Sequence, residues 1–257
     1  MSPPGRPEGE YRSAPHEGSP VRHAGSSSLA NGTPSARGLG ALLIAEALLS
    51  FAPVAILGSA IGWPASLRKP AAEQLAAITA APDAVASGYG LYLLYSLLIA
   101  PVLILLAARA LGGLQRPAAA VVAAFATMSA LARGIGILRW LTVMPGLAAS
   151  HAAAADAAGR LQIERLFDAL SAYGGGIGEV LGVSLLMAAA LGMLCVAAWR
   201  EATMPRWLSS FGVLVALLLA ALSLPVLHGP ALVPVAAAVS LLSAWMIGAG
   251  VWVMRRS

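Results

Sequence analysis

With 257 residues, 59% of them hydrophobic and only 11% charged, the chain has less than half the ~25% charged residues usual in a soluble domain, and it reads as an integral membrane protein. Its formal charge of +5 is almost all arginine, Lys69 being the only lysine. No basic cluster interleaved with aromatics exists, so the charge speaks of membrane topology and excludes a nucleic-acid partner. A single cysteine, Cys195, excludes an intramolecular disulfide and any cysteine-rich metal site.

Residues 1–37 are rich in Pro, Gly, Ser, Arg and Glu. Such a segment buries too little surface to offset its ordering entropy and is expected to be a disordered cytoplasmic tail. Residues 38–255 are expected to form one all-α transmembrane domain, because strands with barrel-like alternation are absent and helices are the remaining spanning element. Six apolar runs follow, near 39–62, 88–111, 118–144, 173–198, 207–227 and 231–253. Each approaches or exceeds the ~20 residues that cross ~30 Å of hydrocarbon. Pro117 and Pro205 stand where helices begin and Gly112–Gly113 where one ends.

The arginines set the orientation. The tail, the second connection (Arg109, Arg116), the fourth (Arg200, Arg206) and the C-terminus (Arg255, Arg256) are basic, whereas the alternate connections are nearly charge-balanced or uncharged. The positive-inside rule then puts both termini in the cytoplasm of a bacterium, with the bundle in its inner membrane. Two outer connections carry short amphipathic helices. One begins at Pro70; the other, from Gly159 to Tyr173, puts Ile163, Leu166, Phe167 and Leu170 on one face and Arg160, Glu164, Arg165 and Asp168 on the other. They either close over the bundle or form a lid on a cavity.

The fourth span opens with the stretch from Tyr173 to Gly182. Gly174, Gly178 and Gly182 recur every fourth residue, a smooth stripe for close approach of another backbone. Beside them Glu179 places a carboxylate where lipid is expected, at a cost of about 2.5–3.5 kcal/mol on insertion scales, so it needs a partner. Glu46 and Arg133 also lie inside spans, and Arg139–Trp140 near the outer end of the third. Counting ~1.5 Å per residue puts Arg133 and Glu179 at overlapping depths, which predicts an Arg133–Glu179 ion pair. Arg139 then faces Asp168 or Tyr173, and Glu46 pairs elsewhere or reaches interfacial water. Tyr89, Tyr92 and Tyr95 form a loose stripe on the second span, as packing or as the wall of a pocket beside Arg133. Tryptophans near run ends, Trp63 among them, are expected at the headgroups.

The chemistry of membrane enzymes is missing: no zinc-protease, haem, serine-protease or nucleotide-binding motif occurs, and no cofactor is called for. The buried charges either fix helix register or form a polar site. In the second case Arg133, Arg139, Trp140, Tyr173 and Glu179 bind a small molecule, a lipid or a membrane-protein partner, with Arg133 and Glu179 as the pathway of a small transporter or channel as the alternative.

Several short motifs come in a telling order: Trp63-Pro-Ala-Ser-Leu, Gly88-Tyr89, Gly136-Ile-Leu-Arg139-Trp140 with Pro145, Tyr173 through Gly178-Glu179 and Gly182, and Pro205-Arg-Trp207. In this pattern the chain, over residues 38–255, resembles the bacterial membrane-protein family DUF4386, a domain of unknown function. The resemblance implies a six-helix membrane architecture and supplies no catalytic residue. It marks Arg139, Trp140 and Glu179 for testing beside Arg133.

Overall fold

The run expected at 39–62 is a helix in two pieces. Ser35 caps α1 (Ala36–Leu49) by accepting from the Gly38 amide at 3.1 Å, and α2 (Phe51–Ile61) follows after Ser50, with Pro53 in its first turn. The computed structural model describes residues 35–256, so the tail expected over 1–37 lies outside the described residues except for its end. Gly62, at φ 69°, terminates α2 in the left-handed conformation that glycine tolerates without strain.

A short helix, α3 (Ala71–Ala80), follows Pro70. Then α4 (Pro82–Leu111) starts at its own proline and ends at Gly112, φ 78°. The next helix, α5 (Pro117–Ala153), is longer than its apolar run: it passes through Pro145 and continues to Ala153. A proline removes one ladder donor, and packed neighbours can absorb that loss.

The amphipathic stretch expected to lie at the interface forms α6 (Ala157–Gly175), capped by Asp156, whose carboxylate accepts from the Gly159 amide at 2.7 Å. It does not stop at the membrane run. The backbone proceeds through a π-helical segment (Gly176–Leu186) into α7 (Met187–Arg200), one continuous apolar helix over 157–200. His151 near the end of α5 meets Glu164 of α6 at 2.8 Å and ties the two together. Finally come α8 (Arg206–Ala221), a 3-10 turn at Leu224–Leu227 and α9 (Val235–Arg255). The described residues are helical and contain no strand.

Among the described residues five helices are long and apolar enough to cross a membrane: 36–61, 82–111, 117–153, 157–200 and 235–255. The chain is therefore a multi-pass membrane protein. The expected run at 207–227 falls short of its length, because α8 stops at Ala221 and Pro225 heads a 3-10 turn. Its 16 residues rise only about 24 Å, below the ~30 Å of hydrocarbon.

Two apolar cores stack along the bundle. Around the described termini, Leu43, Leu103, Leu106, Leu191, Leu194 and Trp245 are buried together. There α1 crosses α9 at Gly40 and Gly250, where a Cβ on Gly250 would stand 2.7 Å from the Gly40 carbonyl oxygen. At the opposite end α3 and α6 cover α4 and α5, burying Leu57, Leu75, Tyr89, Trp140, Met144 and Phe167. Large apolar side chains such as Leu94, Leu97, Leu131 and Ile135 remain exposed on the flanks, as lipid contact requires.

Candidate functional site

The glycine stripe sets the geometry of the site. Gly174 faces Arg139, Gly178 faces Gly136 and Gly182 faces Arg133, so steps of four on one helix meet steps of three on the antiparallel α5. A Cβ on Gly136 would lie 2.7 Å from the Gly178 Cα and 2.8 Å from the Gly174 carbonyl oxygen. Backbones this close admit no side chain. From Gly174 to Gly182 an α-helix would rise about 12 Å, whereas α5 advances only about 9 Å between Arg139 and Arg133. The i→i+5 winding of the π segment shortens the rise per residue and brings the two strings into register. Ser129 of α5 fastens it, donating to the Gly182 carbonyl at 2.8 Å, and Ser184 donates to the Glu179 carbonyl at 3.1 Å.

Because the glycines leave no room between the backbones, the arginines turn along the groove. Arg139 crosses Gly174, whose Cβ would meet its Cδ at 2.6 Å, and donates from Nη1 to the Gly136 carbonyl at 2.8 Å. Its guanidinium lies 5.5 Å from the Trp140 ring centroid. Arg133, 4% exposed, turns toward α4 instead and sits 4.7 Å over the Tyr95 ring, a cation–π arrangement strengthened by desolvation.

The Arg133–Glu179 pair expected from helix depth does not form. Among the described residues the ion pairs within 4.0 Å are Lys69–Glu73, Arg116–Glu201 and His151–Glu164. No carboxylate stands within 4.0 Å of Arg133 or Arg139 among the described residues; the cation acting on Glu179 is Arg139 and the one acting on Glu46 is Arg133, each across a longer gap. The depth count was off by about one turn, since Gly182 and not Glu179 stands level with Arg133. Arg139 likewise meets neither Asp168 nor Tyr173. Tyr173 is 72% exposed and takes no part in the cleft.

Four of the five expected residues, Arg133, Arg139, Trp140 and Glu179, line one cleft with Tyr89 and Tyr92. The tyrosine stripe therefore supplies a wall: Tyr89 stacks on Trp140 with ring centroids 4.7 Å apart and planes 3° from parallel. Trp63 borders the same cleft, edge-on to Tyr92 at 5.9 Å, and not a free headgroup position. Its motif with Pro64 is the one signal that could have found it. Glu46 on α1 is 3% exposed and does not line the cleft.

The cleft is small, with about 30 Å³ open to water, above the ~10–15 Å³ that a single water needs. Three donors on its lining residues are buried with no acceptor from the protein: the Tyr89 hydroxyl and the Nε of Arg133 and of Arg139. Among the described residues no three His, Cys, Asp or Glu side chains gather to hold a metal ion. The arrangement sets these unpartnered donors beside an exposed carboxylate, Glu179, which lines the same cleft. A family model described as a domain of unknown function, DUF4386, matches residues 39–256. No curated protein and no solved structure matches the chain.

Proposed function

We propose a ligand-binding role for this chain, and the premise is its family: the chain belongs to the domain of unknown function DUF4386. The cleft between α4, α5 and the π segment receives one anionic group, a carboxylate or a phosphate, from a small molecule or a lipid. The observation that supports this is the set of buried donors without acceptors on Tyr89, Arg133 and Arg139. A buried unsatisfied donor costs about 1–3 kcal/mol, more when charged, and an anionic oxygen entering the cleft recovers that cost. The narrowness of the cleft limits entry to the charged end of the ligand. Glu179 at the rim disfavours a second negative charge and favours an amine or hydroxyl next to the acid.

In this reading α8 with the turn after it completes a sixth crossing, both termini are cytoplasmic on the arginine distribution, and residues 38–255 form one transmembrane domain behind a 1–37 tail. The membrane is the bacterial inner membrane, and the cleft lies in its outer half. Thermal unfolding of the purified protein against a panel of short carboxylates and phosphate monoesters tests the role. An anion at a hundred times its Kd stabilises the fold by about 2.7 kcal/mol, and Arg139→Gln abolishes the effect. If no anion raises the melting temperature, or the rise survives in both Arg139→Gln and Arg133→Gln, the role is wrong.

A second reading is a small transporter or channel. It is favoured by a run of charge from exposed Glu179 past half-buried Arg139 to buried Arg133 and Glu46, whose Oε1 has no donor. Flux through proteoliposomes that vanishes in Glu179→Gln separates it from binding alone.

A further inference from the structure

The Pro205-Arg-Trp207 motif takes no part in the cleft. It lies at the opposite end of the bundle, where the start of α8 meets the end of α9 around a groove of about 530 Å³, within the range of ligand sites. We propose that this groove binds the headgroup phosphate of an anionic phospholipid, with an acyl chain lying along its apolar floor.

The lining divides as such a lipid does. Toward the middle of the bundle lie Gly248 and Val251. Trp207 leans over the first of these, its ring 3.5 Å from where a Gly248 Cβ would be. A Cβ on Gly248 would just touch Trp207 and Leu208, so the trough for a methylene chain is the open groove beside the exposed indole and not beneath it. Toward the end of the helix the lining becomes Trp252, Arg255 and Arg256. Arg256 is already positioned: its Nη1 donates to the Thr203 carbonyl at 3.3 Å and its guanidinium lies 5.3 Å over the Trp252 ring. Arg255 is exposed and has no carboxylate within 4.0 Å among the described residues. On the nearby connection between α7 and α8 the carboxylate is Glu201, and it is taken by Arg116 at 3.0 Å.

Two arginines with no carboxylate within 4.0 Å among the described residues, at the mouth of an apolar trough between aromatic rings, match one negative phosphate joined to a hydrocarbon chain. A free phosphate would use the arginines and leave the trough idle. This is why the lipid is the occupant.

Native mass spectrometry of the full-length protein in detergent tests the site, with phosphatidylglycerol and phosphatidylcholine added in equal amounts and inorganic phosphate in a separate arm. The expected result is a discrete first adduct favouring phosphatidylglycerol about tenfold. That preference falls to parity in the R255Q/R256Q double variant and persists in R255K/R256K. Because Trp207 is exposed, W207A keeps the fold and lowers adduct occupancy several-fold without inverting the preference. Equal adducts of the two lipids on the wild type overturn the proposal, as does an unchanged preference in the glutamine variant or full occupancy in W207A. Displacement of the lipid by millimolar inorganic phosphate would overturn the choice of occupant.

Discussion

Tyr89 and Trp245 are among the largest fully buried side chains, each with one polar hydrogen to place, and the two ends of the bundle treat them oppositely. Trp245, among the apolar residues around the termini, donates from Nε1 to the Leu208 carbonyl at 3.0 Å. Gly212 makes room for it, since a Cβ there would stand 2.6 Å from that nitrogen. Tyr89 packs as tightly against Trp140, yet its hydroxyl has no acceptor, and neither have Nε of Arg133 or of Arg139 beside it. In a membrane no solvent stands by to satisfy stray donors. The end around the termini closes this indole but leaves Trp252 Nε1, Thr203 Oγ1 and Ser209 Oγ unpartnered; what sets the other end apart is that its open phenol and two guanidinium nitrogens line one cleft, where the proposed anion would meet them.

The largest expected effect tests whether the open end is held together by its charges. Arg133→Ala empties a buried site beside Tyr95 and removes the cation acting on Glu46 from beyond 4.0 Å, and should cost about 2–4 kcal/mol of unfolding free energy measured in micelles. Adding Glu46→Ala should return part of that loss, the part that the two buried charges contribute by acting on each other across the gap. A single-variant loss below about 1 kcal/mol would mean that Arg133 is stabilised by Tyr95 alone and that its coupling to Glu46 is idle.

Two substitutions of about 2 kcal/mol sharpen the contrast between close packing and hydrogen bonding. Trp245→Phe shrinks a filled core and strips the Leu208 carbonyl of its donor. Gly136→Ala does the reverse, driving a methyl into the Gly178 backbone and forcing α5 away from the π segment. The first should lower stability and leave anion binding untouched. The second should do both kinds of damage, since Arg133 and Arg139 flank Gly136 on the same helix. If Gly136→Ala binds anions like the wild type, the close approach is not what positions the arginines.

How far the sequence foretold this differs by element. Run lengths and the punctuation by Pro117, Gly112 and Pro205 located the helices, because membrane burial demands a long apolar stretch and backbone chemistry ends it. The glycine stripe was legible as a contact surface because only small residues allow it. The partners of the charges were not. Depth along a helix can be counted, but the direction a long side chain takes from it depends on the neighbours. Arg133 leaves toward Tyr95 because the Gly182 backbone stands against its Cγ on the other side. The π winding was equally hidden, since nothing in Gly176–Leu186 marks i→i+5 bonding until α5 imposes its shorter register.

The smallest effect has the opposite sign and bears most directly on the contrast. Tyr89→Phe removes a buried hydroxyl that has no acceptor, while the ring and its stacking on Trp140 remain. At a finished site such a change costs about 0.5–1.5 kcal/mol, the net worth of a hydrogen bond. Here the unliganded protein should be unchanged or gain up to about 1 kcal/mol, because desolvation of the hydroxyl is no longer uncompensated. The same variant should bind the stabilising anion several-fold more weakly, having lost one of three donors. Stability and affinity therefore move apart in Tyr89→Phe and not in Trp245→Phe. Equal losses of stability in both would place the Tyr89 hydroxyl in a hydrogen bond within the fold and remove one leg of the receptor, whereas a stable variant with weakened binding would show that the cleft gives up stability to keep its donors free.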